Sequence, residues 1–311
     1  MHWRLKATAQ KLLGMAPFGE SLHYHLQRRF GGLRDFSREC RVKVSDWKLM
    51  AGHLRDAGRP IAGARLLEIG SGWYPTFPFL CWIAGAREIV TVDLTRHMRP
   101  ELTRDCAAEL GKLVAEIAAA AQLDEATVRE RQSRLLAALE RGADVGAATD
   151  GAIRYLAPSD ARRTGLPDAS IDCVFSNSVL EHVPMDVIRG MYTESMRILV
   201  PGGVMFHSVN CGDHYAYVDR NISQLNYLRY SDAQWQRWNN AFLYQNRVRA
   251  HRFVDEAREA GFAIVLDTAK PHPTRLQQLA QVPVHPQFAH MPPEVLAITS
   301  VDFIARKPAA A

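Results

Sequence analysis

The sequence predicts an α/β fold in which helices flank a parallel sheet. The apolar run over 65–70 ends in glycine and is typical of a buried strand. A helical pattern over 76–85 and a second apolar run over 88–93 complete a βαβ unit. Further strands are expected over 153–157, 171–177, 204–210, 262–267 and 297–306. Helical patterns over 185–199 and 250–260 separate the later strands, and this alternation favours a parallel sheet.

The composition indicates a globular enzyme-sized chain. Of its 311 residues, 47% are hydrophobic and 23% are charged, which excludes a disordered or low-complexity protein. The longest apolar stretch, 77–86, has roughly half the length that a membrane span needs. The five cysteines are scattered, which argues against a disulfide framework. We therefore expect a cytoplasmic protein without a membrane segment or a secretory signal.

The chain divides into an N-terminal helical extension, 1–60, and a ligand-binding α/β domain, 61–311. A helical insertion over 97–150 contains an expected helix pair, and an aromatic and polar lid is expected over 212–247. No internal repeat of fixed period is present.

Two helices are predicted in the extension, over 22–30 and 46–57, with Ser45 as the N-cap of the second. Residues 1–44 hold nine Lys or Arg against three acidic residues. This segment lacks aromatic residues interleaved with the basic ones, so we expect a solvated helical face and no nucleic-acid partner.

The strand ends carry the residues with chemical potential, because ligands of parallel α/β sheets bind beyond the carboxyl ends of the strands. Gly70 and Gly72 lie at a strand-to-helix turn, where glycine lets a ligand approach the backbone. Asp93 ends the next strand and can accept hydrogen bonds from both ribose hydroxyls of a nucleoside. Asp160 follows the third strand and can accept from an adenine amine. The turn therefore predicts a nucleoside ligand.

The turn lacks the third small residue of a dinucleotide site. Pro75 stands in that position, after the bulky Trp73 and Tyr74. This disfavours a pyrophosphate over the turn and favours a ligand without phosphates.

With these features the chain resembles the class I S-adenosylmethionine (SAM)-dependent methyltransferases over roughly 60–306. Within that superfamily it is similar to the methyltransferase type 11 group. The motifs that carry the resemblance are LLEIGSGW (66–73), IVTVDL (89–94), APSDA (157–161), DCVFSNSVLEHV (172–183) and LVPGGVMF (199–206). The chain departs from the family at Tyr74, where many members have a third glycine.

The resemblance implies a Rossmann-like, seven-stranded, mostly parallel sheet with one antiparallel strand and helices on both faces. It also implies SAM as cofactor or substrate. Glu68, Gly70 and Gly72 would contact its methionine part, Asp93 its ribose, and Asp160 and Ala161 its adenine. Asn177 and Ser178 would border this methyl donor, and Ser71 and Leu94 would complete the cofactor site.

The lid is expected to supply the acceptor side, because its Arg, Asn and aromatic side chains can hold and wall a polar substrate. The catalytic candidates are Tyr74, Asn177, Asp213, His214, Tyr215, Arg229 and Tyr230, with Asn226 and Arg247 beside them. Glu181 and His182 open a helix and are expected to be structural rather than catalytic. His272, His285 and His290 lack metal-ligand spacing, so no metal site is expected.

The leading interpretation is methyl transfer from SAM to a small-molecule acceptor. The alternative is a lyase that cyclises SAM itself, since the chain bears a weaker resemblance to methyltransferase-like azetidine-2-carboxylate synthases. In such an enzyme the amine of SAM attacks its own γ-carbon and methylthioadenosine leaves; Trp73 and Tyr74 would stabilise the sulfonium. A third hypothesis is a non-catalytic nucleoside sensor or nucleic-acid binder. A homodimer is compatible with all three.

Overall fold

The computed structural model describes residues 2–309 and centres on one seven-stranded sheet. Its strands are β1 (Arg65–Ile69), β2 (Glu88–Val92), β3 (Ile153–Leu156), β4 (Ile171–Asn177), β5 (Leu199–Asn210), β6 (Ala263–Asp267) and β7 (Ser300–Arg306). The spatial order is β3-β2-β1-β4-β5-β7-β6, and β7 is antiparallel to both of its neighbours. The predicted Rossmann-like methyltransferase fold, with one antiparallel strand, is thus confirmed.

Twelve α-helices surround the sheet in the described part of the chain. They are α1 (Trp3–Gly14), α2 (Gly19–Phe30), α3 (Phe36–Asp56), α4 (Thr76–Ile83), α5 (Pro100–Leu110), α6 (Val114–Ala121), α7 (Glu125–Glu140), α8 (Met185–Ile198), α9 (Asp232–Trp235), α10 (Ala250–Glu259), α11 (Pro273–Leu279) and α12 (Pro293–Leu296). Short 3-10 helices lie between them, among them Leu180–His182 and His214–Tyr217. Within residues 2–309, no helix combines the length and the apolar character that a membrane crossing requires.

The long helix α3 begins ten residues earlier than its apolar pattern suggested. Asp35 is its N-cap, and the Asp35 carboxylate accepts a hydrogen bond from the Arg38 amide at 3.1 Å. The prediction of Ser45 as the cap was wrong, because Ser45 lies within the helix and donates its hydroxyl hydrogen to the Arg41 carbonyl. The first turns of α3 are largely polar, so the apolar pattern does not indicate where the helix begins.

The insertion after β2 contains three helices instead of the expected pair. Gln122 ends α6 in the left-handed region, with φ 57°. Asp124 then caps α7, and its carboxylate accepts from the Thr127 amide at 2.8 Å. This αL residue and the following cap divide an alanine-rich stretch that reads as continuous in the sequence.

Two apolar layers enclose the sheet. Helices α3 to α7 pack on one face, where Trp47 of α3 is fully buried with Leu66 and Phe175 of the strands. Helices α8 and α10 pack on the other face, against residues such as Val174 and Phe303. The N-terminal helix α3 therefore shares its core with the sheet.

The lid 212–247 packs against α1 and the segment around α11 and α12 in a third apolar cluster. Trp3 of α1 lies at the centre of its aromatic part, with ring centroids 5.3 Å from Tyr215 and 4.9 Å from Trp238. The lid is thus anchored by the first helix of the chain.

Candidate active site

The turn after β1 is shaped by a glycine that no other residue could replace without strain. Gly70 has φ 88°, and a Cβ at this position would lie 2.5 Å from Cγ2 of Val179. Its amide donates to the Val92 carbonyl at 2.9 Å, which holds the turn against β2. A ligand can therefore approach the backbone closely at this point.

Asp93 connects the ends of β1 and β2. One carboxylate oxygen, Oδ2, accepts from the Gly72 amide at 3.0 Å, and the other, Oδ1, accepts from the Thr95 amide at 3.1 Å. The carboxylate lies half-buried at the wall of a cavity, with lone pairs left for further donors.

This donor cavity has a volume of about 450 Å³, which is in the range of ligand pockets. It is lined by Leu33, Lys43, Glu68, Gly70, Ser71, Gly72, Trp73, Tyr74, Thr76, Phe77, Asp93, His97, Asn177, Ser178, Val179 and His182. The structure therefore brings together most of the residues that the resemblance implied for SAM. It also adds two residues of the N-terminal helical region, Leu33 and Lys43.

Glu68 closes the floor of the cavity. Its side chain is buried and accepts a hydrogen bond from the Thr91 hydroxyl, which also contacts Ser71 Oγ. Burial raises the pKa of Glu68 to about 7, against the smaller opposing effect of the Thr91 hydrogen bond. Glu68 therefore presents to the cavity a buried carboxyl group that Thr91 holds in place.

The end of β4 is held by the N-terminal helices. Lys43 Nζ donates to Asn177 Oδ1 at 2.8 Å, and Asn177 Nδ2 donates to Asp46 at 3.4 Å. The next residue, Ser178, has φ 55°, in the left-handed region. Such strained positions cluster at functional sites, which supports a role for this turn.

The expected adenine side is arranged differently. Asp160 is paired with Arg162, whose Nη2 lies 2.7 Å from Asp160 Oδ2. The hydrogen bonds from Arg162 lower the pKa of Asp160. Asp160, Ala161 and Leu94 are not among the residues lining the cavity, and Leu94 is 69% exposed. Adenine can contact Asp160 only if Arg162 moves away or if the carboxylate accepts hydrogen bonds from Arg162 and from adenine together.

A second cavity, of about 620 Å³, adjoins the first across Trp73 and His97. Helix α2 forms much of its wall, and the lid contributes Ala241 and Phe242. Trp73 itself packs edge-on against Tyr24 of α2, with ring centroids 5.3 Å apart. Trp73 thus lies between the two cavities and lines both of them.

None of the catalytic candidates of the lid is among the residues that line the donor cavity. Asp213 is fully buried and accepts from Asn226 Nδ2 at 2.8 Å and from the Tyr215 amide at 2.9 Å. Tyr215 donates its hydroxyl hydrogen to the Trp238 carbonyl, and Tyr230 accepts from Arg4. Arg229 is exposed beside a separate surface pocket. These contacts join the lid to itself and to α1.

Arg247 has an internal role in the lid. Its guanidinium donates to the Tyr227 and Tyr230 carbonyls at 2.9 and 2.6 Å and pairs with Asp232. Its donors are thus committed to lid backbone and to one carboxylate.

His214 approaches the turn after β4, where it meets Glu181 and His182. Candidate ligand atoms of these three side chains lie within 4.8 Å of one another, and His214 Nε2 is 3.9 Å from Glu181 Oε1. His182 also lines the donor cavity. The cluster therefore borders the place where the sequence expects the methyl group.

Burial shifts the pKa values of all three groups. It raises the pKa of Glu181 to about 8 and lowers that of His214 to about 3; it also lowers the pKa of His182. The sequence predicts structural roles for Glu181 and His182, and His214 follows a different strand. No local pattern in the sequence indicates that these three residues meet. The one general indication is that functional residues gather at the carboxyl ends of the strands, and this applies to both turns.

Part of the chain matches a known family. Residues 132–207, from α7 to β5, match the model of the methyltransferase domain. This match confirms the resemblance to the class I SAM-dependent methyltransferases and supports SAM as cofactor or substrate. It supports SAM-dependent methyl transfer in general. No curated protein matches the chain.

Solved structures are similar to the chain at low identity. A SAM-dependent methyltransferase from Mesorhizobium loti is 16% identical, with 82% of this chain and 96% of that chain covered and a TM-score of 0.44. A geranyl diphosphate methyltransferase in complex with SAM is 13% identical, with 84% and 85% covered and a TM-score of 0.44. The [4+2]-cyclase SpnF is 16% identical, with 80% and 77% covered and a TM-score of 0.43.

Proposed function

We propose that the protein transfers the methyl group of SAM to a small-molecule acceptor. The observation that carries the proposal is the hydrogen bond of 3.0 Å from the Gly72 amide to Asp93 Oδ2. It joins the turns after β1 and β2 at the wall of the donor cavity. A nucleoside needs such a carboxylate for its ribose, and a methionine part needs the backbone access that Gly70 provides.

In this proposal the donor spans the carboxyl edge of the sheet. The ribose lies at Asp93, the methionine amine near Glu68, and the methyl group points to Asn177 and Ser178 at the end of β4. The acceptor atom attacks the methyl carbon, the carbon–sulfur bond breaks, and S-adenosylhomocysteine leaves with the electron pair. Positioning of the two reactants is the main requirement, because the sulfonium is already electrophilic.

The size of the two adjoining cavities favours a small acceptor over a macromolecule. Lys43 and Leu33 lie across the donor cavity, and the adjoining cavity is walled by α2 and Phe242.

One experiment tests the proposal and its alternative together. The protein is incubated with SAM carrying an isotopic label in the methyl group, first alone and then with a low-molecular-weight metabolite fraction. We expect labelled small molecules and S-adenosylhomocysteine only in the second incubation, detected by mass spectrometry. A D93A variant is the matched control for adventitious transfer.

The cyclising alternative has one observation in its favour, namely that Trp73 and Tyr74 both line the donor cavity. It predicts methylthioadenosine from SAM alone, above the spontaneous rate. That product without S-adenosylhomocysteine would replace the methyl-transfer proposal, and binding of neither SAM nor S-adenosylhomocysteine in calorimetry would reject both.

A further inference from the structure

We propose that Glu181, His182 and His214 bind a first-row divalent metal ion, such as Zn²⁺, at the wall of the donor cavity. Two imidazoles and one carboxylate form a donor set that suits Zn²⁺ or Fe²⁺ and leaves coordination positions open for a substrate. The three residues come from the turns after β4 and β5, and the fold brings them together.

The distances fit this role after a small adjustment. The ligand atoms lie within 4.8 Å of one another, and His214 Nε2 is 3.9 Å from Glu181 Oε1. Metal–ligand bonds of zinc place tetrahedral ligand atoms roughly 3.4 Å apart. Side-chain rotations that move the ligand atoms by about 1 Å would therefore bring them to the spacing that an ion requires.

Two buried atoms in the cluster have no hydrogen-bond partner in the described part of the chain. These atoms are Glu181 Oε2 and His214 Nε2. Unpartnered buried polar atoms are costly and rare in folded proteins. The distance of 3.9 Å from His214 Nε2 to Glu181 Oε1 is too long for a hydrogen bond between the two side chains. A metal ion would satisfy both atoms at once.

The surroundings orient the ligands as metal sites require. His182 Nδ1 lies 2.6 Å from the Tyr244 carbonyl, so this nitrogen carries the proton and Nε2 keeps a free lone pair. Glu181 Oε1 accepts from the Asn210 amide at 3.3 Å. The backbone of His214 is held by Gln245 Oε1 at 3.1 Å.

The same lid segment also fixes the turn after β4. Asn246 donates from Nδ2 to the Leu180 and Val183 carbonyls at 2.7 and 2.8 Å, and its amide donates to the Glu181 carbonyl. The end of the lid therefore acts as a positioning element for the ligand cluster.

The location of the ion selects the class of acceptor, a step that rests on the proposed function. His182 and Lys43 both line the donor cavity, so the ion and the ammonium group face the same space as the sulfonium. The ion, the ammonium group and the sulfonium would all repel a cationic acceptor, while the cavity's two carboxyl groups, Glu68 and Asp93, are assigned in the proposed function to the amine and ribose of SAM. The acceptor then carries an anionic oxygen, such as a carboxylate, enolate or phenolate, which the metal ion and Lys43 hold.

Metal binding is tested directly on the chelator-dialysed protein without SAM. We expect calorimetry with ZnCl₂ to show one site of submicromolar affinity, and Co²⁺ to give visible absorption bands typical of nitrogen and oxygen ligands. H214Q and E181Q should each weaken Zn²⁺ binding about 100-fold. H290Q changes an exposed histidine and should keep the wild-type affinity.

Circular dichroism separates loss of ligands from loss of fold in these variants. If H214Q and E181Q remain folded and keep wild-type Zn²⁺ affinity, the ion binds elsewhere and the proposal is wrong. Absence of Zn²⁺ and Co²⁺ binding in folded wild-type protein also overturns it. Calorimetry with S-adenosylhomocysteine is run separately: its failure beside intact Zn²⁺ binding rejects the proposed function while the metal site stands.

Discussion

Lys43 Nζ donates a hydrogen bond to Asn177 Oδ1 at 2.8 Å, and this contact joins the N-terminal helices to the end of β4. The ammonium group also lies 5.9 Å from the centroid of the Phe77 ring, another residue of the cavity wall. The helical region before the sheet thereby contributes to the wall of the donor cavity.

A K43M variant tests the electrostatic consequence of this contact. SAM carries a sulfonium charge that S-adenosylhomocysteine lacks, so removal of a nearby cation should favour SAM selectively. We expect the ratio of the SAM Kd to the S-adenosylhomocysteine Kd to fall at least roughly threefold. The methionine side chain preserves the packing of the lysine stem.

The matched control is K48M, which removes a cation from the same helix where Lys48 pairs with Glu116 at the surface. Its Kd ratio should remain that of the wild type. An unchanged ratio in K43M, measured by calorimetry, would show that Lys43 does not face the sulfonium.

Much of the sheet could be predicted because buried parallel strands are nearly continuous apolar runs. Strand β5 begins at Leu199, five residues before the predicted start, because Pro201, Gly202 and Gly203 are residue types that are uncommon within a strand. Ile171 pairs with Leu199 before an irregularity in the ladder, so the strand begins through pairing with β4. Propensity alone carries no such information.

The donor turn was also predictable, because Gly70, Gly72 and Asp93 follow strands that are adjacent in the sheet. Lys43 was not, since its role depends on how α3 crosses the strand ends. Likewise, His214 meets Glu181 only through the docking of the lid, which rests on contacts far apart in sequence. Local patterns cannot reveal such contacts.

Substitution of Gly70 should separate backbone strain from steric overlap. G70A and G72A both place a Cβ on a residue with positive φ, which costs about 1–2 kcal/mol. Only G70A brings the new methyl group within 2.5 Å of Val179, for a further cost of about 1–3 kcal/mol.

Denaturant unfolding at equilibrium measures the difference between the two variants. A second substitution, V179A, should restore part of the lost free energy of unfolding in G70A and none in G72A. Equal stabilities of G70A and G72A would contradict the close approach of Val179.

Asp93 should control donor affinity through two kinds of contact. Its carboxylate holds the Gly72 and Thr95 amides and is expected to accept from the ribose. Each charge-assisted hydrogen bond is worth about 1.5–3 kcal/mol, so D93A should weaken SAM binding at least tenfold. D93N retains one acceptor oxygen and should lie between D93A and the wild type.

Calorimetry with SAM provides this measurement, and D105A serves as the surface control because Asp105 pairs with Arg28 away from the cavity. A wild-type Kd in folded D93A would move the ribose contact elsewhere.

Trp3 should determine whether the lid stays docked. Its side chain is 3% exposed and lies among the rings of Tyr215, Trp235 and Trp238. Loss of a buried tryptophan costs about 3–5 kcal/mol. W3A should therefore speed proteolysis within 212–247, as followed by mass spectrometry, while L12A, on an exposed face of α1, should not. Equal cleavage of W3A and wild type would show that α1 is dispensable for docking.

The titration of Glu68 should lower the free energy of unfolding as the pH rises. Burial raises its pKa in the folded protein to about 7, whereas the unfolded chain releases this proton near pH 4.5. Below pH 4.5 both states are protonated and the group has no effect. Between pH 4.5 and 7 the folded state binds more protons, so ionisation of the unfolded chain lowers the free energy of unfolding by about 3 kcal/mol in all. Above pH 7 this cost is constant.

An E68Q variant removes the titration and should therefore gain stability relative to the wild type as pH rises from 5 to 7.5. Urea unfolding at several pH values gives the difference between the two proteins, which cancels the contributions of groups they share. E130Q, at an exposed position of α7, should follow the wild-type profile throughout. A pH-independent difference between E68Q and the wild type would mean that Glu68 is already ionised in the folded protein at pH 5. A cation in the cavity would then stabilise its carboxylate, and Lys43, which lines the same cavity, is the candidate.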